Sequence, residues 1–109
     1  KHGEVWLVDF SPNIGAEIGK KRPAVILNDA VGILPLKLVV PVTDPTAKKQ
    51  KWHVALNPSP DNGLDKKSFA DCFQVKSISK NRFVKKLGYL DENEISDIKI
   101  ALVLSLDLF

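Results

Sequence analysis

One cysteine and two histidines leave this chain few routes to several kinds of chemistry. Cys72 alone excludes an internal disulfide, and with His2 and His53 it makes no zinc-ligand set. No cofactor or metal is therefore expected. No apolar run approaches the length that spans a bilayer, and no signal-peptide pattern opens the sequence. A cytoplasmic protein is the simplest reading. The chain opens on Lys1 and holds no methionine, so its natural start is expected to be missing or processed. Internal repeats, linkers and low-complexity tracts are also lacking. What remains is 44% hydrophobic and 27% charged over 109 residues, the composition of one globular domain, residues 1–109, with one modest core.

Arginine is scarce too. Fourteen of the sixteen basic residues are lysine, so Arg22 is one of two fork-shaped cations. The net charge of +3 is uneven: residues 91–109 carry −4, which leaves +7 on residues 1–90. A basic body with an acidic tail favours a polyanionic partner for the body, although from charge alone a lysine-solvated surface is the better reading.

Short β-branched runs dominate the first ninety residues. Strands are expected at Glu4–Phe10, Pro23–Asn28, Leu36–Thr43, Trp52–Asn57, Ser68–Val75 and Val84–Leu90, with a helical turn at Lys80–Arg82. Asp44–Lys51 reads as a lysine-rich connection and Pro58–Gly63 as a turn. Strand following strand with few helical intervals predicts a mainly β fold, a small antiparallel barrel, closed by one C-terminal helix. Asp91 begins that helix, and Glu94 three residues on completes a capping-box pattern. Ile95, Ile98, Leu102, Leu106 and Phe109 form one apolar stripe. Ile100, Val103 and Leu104 add apolar surface beyond it, for a wide core contact or a second subunit.

The segment Ser11–Pro23 joins the first two strands with two prolines, two glycines, a carboxylate and three closing cations, Lys20, Lys21 and Arg22. A connection this long between strands is more often functional than a mere turn. Pro23 fixes the backbone after Arg22 and is expected to hold the guanidinium at the mouth of a strand. A guanidinium so held suits phosphate oxygens, because its planar fork donates two parallel hydrogen bonds.

Several motifs in order carry a family resemblance: Gly3-Glu4-Val5-Trp6, then Ser11-Pro12-Asn13-Ile14-Gly15-Ala16-Glu17, then Arg22-Pro23-Ala24-Val25. Val40-Pro41-Val42-Thr43 and Gln74-Val75-Lys76-Ser77-Ile78 extend it over nearly the whole chain. The sequence resembles the MazF/PemK toxins, the ribosome-independent mRNA endoribonucleases of toxin–antitoxin pairs. The resemblance implies an SH3-like, MazF/CcdB-like β-barrel and a homodimer acting on single-stranded RNA. It also implies inhibition by a cognate antitoxin that lays an acidic, extended segment over a basic groove. The chemistry it implies is attack by the RNA's own 2′-hydroxyl, leaving a 2′,3′-cyclic phosphate and a 5′-hydroxyl.

That chemistry needs a group to take the 2′-hydroxyl proton, a group to stabilise the crowded phosphate and a proton for the leaving oxygen. Arg22 fits the second role; its alternative is a structural salt bridge, for instance to Glu17. Thr43 read alone is an ordinary strand-end threonine, and the resemblance makes it catalytic with Arg22. Glu17 orients Arg22 or accepts a proton. Lys20, Lys21, Gln74, Lys76 and Ser77 are candidates to bind the RNA backbone and base edges. The family often carries an acidic residue just before Gln74, whereas this chain has Phe73, which leaves the general base unassigned. Lys48, Lys49 and Lys51 before Trp52 match a cation–aromatic surface for single strands, with core or interface an equal reading of Trp52. His53 pairs with nothing in the site, and Cys72 reads as inert core. Two alternatives remain open at this point: a CcdB-like module that poisons DNA gyrase by protein contacts, and a non-catalytic relative that binds RNA or antitoxin.

Overall fold

Among the described residues, 2–11, 20–28, 36–45 and 48–108, the computed structural model holds seven strands, one α-helix and two 3₁₀ turns, Cys72–Gln74 and the expected Lys80–Arg82. The strands are β1 (Glu4–Asp9), β2 (Lys21–Ile26), β3 (Leu36–Thr43), β4 (His53–Leu56), β5 (Ser68–Asp71), β6 (Lys76–Ser79) and β7 (Phe83–Tyr89). Helix α1 (Glu92–Ser105) closes the chain. Every pairing is antiparallel, in the order β4-β5-β3-β2-β1-β7, with β6 also on β3. Among the described residues the hydrogen-bonded path does not close on itself, so the barrel expected from the sequence is an open one.

Strand β3 organises the sheet. One edge faces β2 through Val39, Val40 and Pro41. The other edge changes partner, from β6 along Leu36–Val39 to β5 at Val42 and Thr43. Pro41, with no N–H to donate, falls in the gap between those two ladders. Alternation along the strands then builds two apolar layers. Val5, Val25, Val40 and Val42 pack with Leu56, Ile98 and Ala101 on the helix side. Val8, Phe10, Ala24, Ile26, Val39 and Ile78 pack on the opposite face, with Trp6 and Phe83 beside them.

The helix starts where the local chemistry dictates. Asp91 Oδ1 accepts the Glu94 N–H at 2.8 Å, and Glu94 Oε1 accepts the Asp91 N–H at 3.0 Å. Ile98 and Ala101 are buried, Ile95 and Leu102 half-buried, and Leu106 lies past the helix end and is exposed. Phe109, the last residue of the expected stripe, lies outside the described residues.

Two expectations need correction. The strand foreseen over Ser68–Val75 breaks after Asp71, whose carboxylate accepts the Phe73 N–H at 3.2 Å and caps a 3₁₀ turn over Cys72–Gln74. The chain then resumes as β6, a strand not expected, because Lys76-Ser-Ile-Ser79 offers a single apolar residue. Cys72 thus lies in the turn, yet it is fully buried, with its thiol 3.9 Å from the Ile98 carbonyl.

The turn at Pro58–Gly63 is held by one buried side chain. Asn62 donates from Nδ2 to the Asn57 carbonyl at 2.8 Å and accepts at Oδ1 from the Ser59 and Leu64 N–H groups at 3.1 and 3.0 Å. A Cβ at Gly88 on β7 would lie 2.0 Å from the Asp61 carbonyl oxygen, so the turn packs where only glycine leaves room. Asn62 thereby fixes where the chain sets out along Leu64–Ser68, one wall of the site.

Candidate active site

Strand β2 begins at Lys21, earlier than expected, so Arg22 lies inside the strand rather than at its mouth. Its cross-strand partner on β1 is Val8. The β2–β3 ladder is anchored by the Leu27 N–H donating to the Leu38 carbonyl at 3.0 Å, and Val25 pairs with Val40. The next bond of that register belongs to position 23, where proline has no donor. The ladder accordingly ends at Ala24↔Pro41. Two residues further along the same register Arg22 lies opposite Thr43, and there a side-chain bond takes over: Arg22 Nη1 donates to Thr43 Oγ1 at 3.2 Å. Both residues are half-buried.

The pair opens into a cleft of about 220 Å³ whose lining includes Lys21, Arg22, Thr43, Asp44, Leu64 and Lys66. Lys20 stands at its edge in the left-handed region, φ 68°, and accepts the Phe10 N–H at its carbonyl at 2.8 Å. A lysine with that backbone is uncommon and is held by its surroundings. Asp44 follows Thr43 and pairs with Lys66 at 2.7 Å. The Lys66 ammonium, with smaller help from Arg22 and Lys20, holds the Asp44 carboxyl below the usual carboxylate range.

The other expected residues distribute as follows. Lys76 on β6 shares the face of Val39, and its ammonium lies 5.8 Å from the centre of the Phe10 ring. Phe10 belongs to the same apolar layer as Val8 and Ala24, so Lys76 and Arg22 address one face of the sheet. Ser77 pairs with Leu38, is exposed and alternates to the other face of β6. Gln74 ends the 3₁₀ turn, half-buried. Glu17 lies outside the described residues. Asp44, Leu64 and Lys66 were not foreseen. Asp44 had a sequence signal, its place beside Thr43; Lys66 had none, because it reaches the site from a distant loop.

The second arginine is structural: Arg82 Nη1 donates to the carbonyls of Asp9, at 3.2 Å, and Ser11, tying down the end of β1. His53 is buried, stacks on Phe69 at 5.0 Å and accepts the Gln50 N–H through Nδ1 at 3.0 Å, which fits its exclusion from the site. Trp52 packs 5.4 Å from the largely exposed Phe73. Among the described residues no three His, Cys, Asp or Glu side chains gather where they would hold a metal.

The profile of the PemK-like, MazF-like toxins of type II toxin–antitoxin systems matches residues 1–106. The chain belongs to this family. It is 34% identical over 116 residues to the endoribonuclease MazF9 of Mycobacterium tuberculosis, covering 100% of this chain and 98% of that protein. Crystallised MazF from Deinococcus radiodurans superposes with a TM-score of 0.83 at 24% identity, over 98% of this chain and 96% of that one. The MazE–MazF crystal structure from the same organism gives 0.72 at 25% identity, over 98% and 94%. The match favours the MazF/PemK reading over the CcdB-like one, and the fold expectation of a mainly antiparallel sheet with one terminal helix stands. Within the MazF/PemK frame, the Arg-Pro and Pro-x-Thr motifs are the two strand segments that bring Arg22 to Thr43.

Proposed function

We propose that this toxin cuts single-stranded mRNA by attack of the 2′-hydroxyl on the adjacent phosphate, without a divalent ion. The observation that carries the reading is the 3.2 Å bond between Arg22 and Thr43 at the head of a cationic cleft. It presets the guanidinium before substrate arrives, and preorganised donors stabilise charge that develops in the transition state. The Thr43 hydroxyl accepts from Arg22 and has its own O–H to donate to a phosphate oxygen. Lys20, Lys21 and Lys76 supply cations for the backbone on either side, and Gln74 and Glu17 complete the proposed RNA contacts, while Ser77, on the other face of β6, is left out. The named activity of the M. tuberculosis relative supports the same reading.

Two partners follow. The first is a cognate antitoxin, by analogy with the MazE–MazF complex, its acidic extended segment lying over the cations of the cleft. The second is another copy of the chain: Ile100 and Leu104 on α1 are 58% and 50% exposed and, with Lys49, Lys51 and Ala55, line a groove of about 390 Å³. Apolar side chains displayed together are costly to leave in water. A substrate of messenger RNA places the protein in the cytoplasm, and no helix among the described residues is long and apolar enough to cross a membrane.

Purified protein with a long RNA in excess EDTA tests the activity. Cleavage leaving a 2′,3′-cyclic phosphate and a 5′-hydroxyl is expected, and a 2′-deoxy substitution at the cut site should abolish it. Activity that vanishes in EDTA and returns with Mg²⁺, or cleavage of the deoxy site, overturns the mechanism. RNA left intact under all conditions overturns the function.

A further inference from the structure

We infer that Asp44 is the general base of this site, the group that takes the proton from the attacking 2′-hydroxyl, with Lys66 holding its carboxylate in place. The inference rests on the nuclease reading above. It answers the gap that the sequence leaves at Phe73, where no carboxylate is present. Phe73 lies beside Trp52, is 65% exposed, and has no acid–base chemistry to offer.

Three observations converge on Asp44. It is the residue after Thr43, at the point where β3 gives way to loop. It lines the same cleft as Arg22 and Thr43. Its carboxylate pairs at 2.7 Å with the Lys66 ammonium, which reaches across from the opposite wall, the wall that the Asn62 turn positions, both side chains being about two-thirds exposed. A carboxylate beside a guanidinium is a workable pair for this reaction: the one accepts a proton and the other stabilises the phosphate. Arg22 by itself is a poor base, because free guanidine forms only above a pKa of about 12.

The step balances without a further reactant. The 2′-oxygen gives its proton to Asp44 and forms a bond to phosphorus. The bond from phosphorus to the 5′-oxygen breaks, and that oxygen takes a proton from solvent. Asp44 then returns its proton to solvent. The charged groups facing Asp44 are Lys66 from the loop before β5, Arg22 from β2 and Lys20 from the end of the β1–β2 connection, with Lys21 and Asp65 also lining the cleft. All three cations favour the ionised carboxylate, so it is unprotonated at neutral pH, and the same cations temper its strength as a base.

The test is single-turnover cleavage of a long RNA across a pH series by wild type, Asp44→Asn and Lys66→Ala, with binding measured on 2′-deoxy RNA. General-base removal costs about 10²–10⁴-fold, so Asp44→Asn should lose at least about 10²-fold in rate. Its affinity for the deoxy RNA should hold or tighten, because a negative charge leaves the phosphate site. Wild type should lose rate on the acid side as Asp44 takes up a proton. That acid limb should be absent in Asp44→Asn and should move to higher pH in Lys66→Ala, which no longer holds the carboxyl low. A merely structural ion pair would cost both variants alike and leave the limb unmoved. Near wild-type cleavage by Asp44→Asn, or the same acid limb in Asp44→Asn as in wild type, overturns the inference while leaving the nuclease function standing. A wild-type protein that cuts no RNA overturns the function itself.

Discussion

Arg22 and Thr43 act on the same reaction through one hydrogen bond, and their substitution should show it in the pattern of rates. Arg22→Ala removes a preorganised charged donor. Losing one such donor costs about 10²–10³ in rate, ~2.7–4 kcal/mol of transition-state stabilisation. Arg22→Lys should fail nearly as badly. A lone ammonium cannot match the planar fork that engages Thr43 and addresses a phosphate together. Thr43→Val keeps the β-branched shape and removes the acceptor 3.2 Å from Nη1. A hydrogen bond to a charged group is worth about 1.5–3 kcal/mol when shielded. Thr43 is half-buried, so the lower end applies, about tenfold in rate. Because part of that loss is misplacement of Arg22, the double variant should be slower than Arg22→Ala by less than the Thr43→Val factor alone. The assay is single-turnover cleavage with binding of 2′-deoxy RNA measured in parallel. Binding should fall far less than rate, since Lys20, Lys21 and Lys76 remain. Arg22→Ala cleaving within a few-fold of wild type would place the active site elsewhere, and strict additivity would remove the hydrogen bond from the mechanism.

Three further outcomes follow from the packing. Asn62→Ala removes the one buried side chain that ties the Asn57 carbonyl and the N–H groups of Ser59 and Leu64 together across an otherwise exposed turn; chemical denaturation should report a loss of about 1–3 kcal/mol, and no measurable change would mean that the turn is not fixed by this side chain. Burial, with a smaller contribution from Asp71, pushes the Cys72 thiol up to about 12, so alkylation by iodoacetamide at pH 8 should track unfolding, and rapid labelling of the native protein contradicts the core assignment. Ile100→Asp with Leu104→Asp should turn the sedimenting species from dimer to monomer with helix content intact; a wild-type monomer that cleaves RNA refutes the proposed dimer face.

What the sequence made legible was local. The capping box at Asp91 and Glu94 is written within one turn of chain, and the structure closes both of its bonds. The strand at Leu36–Thr43 is dense in β-branched residues and appears with those bounds. What stayed hidden was set at a distance. Strand β6 has one apolar residue to announce it and exists because β3 offers an edge. Lys66 reaches the site only because a turn pinned by the buried Asn62 starts its loop from the far wall.

Pro23 shows how a correct local rule led to a wrong placement. Proline does constrain Arg22, but not by holding it outside the strand. Arg22 is in β2, paired with Val8 through β1, because the N–H that Pro23 lacks belongs on the other edge. There the absent donor ends the backbone ladder at Ala24↔Pro41, and two residues further along the register Arg22 stands opposite Thr43 with its own main-chain groups turned to β1. The two side chains at that position, guanidinium and hydroxyl, meet where a ladder would otherwise have continued. A site that must yield to substrate gains from this arrangement. The strand fixes each Cα, while the bond between Arg22 and Thr43 can be exchanged for bonds to a phosphate without breaking the sheet.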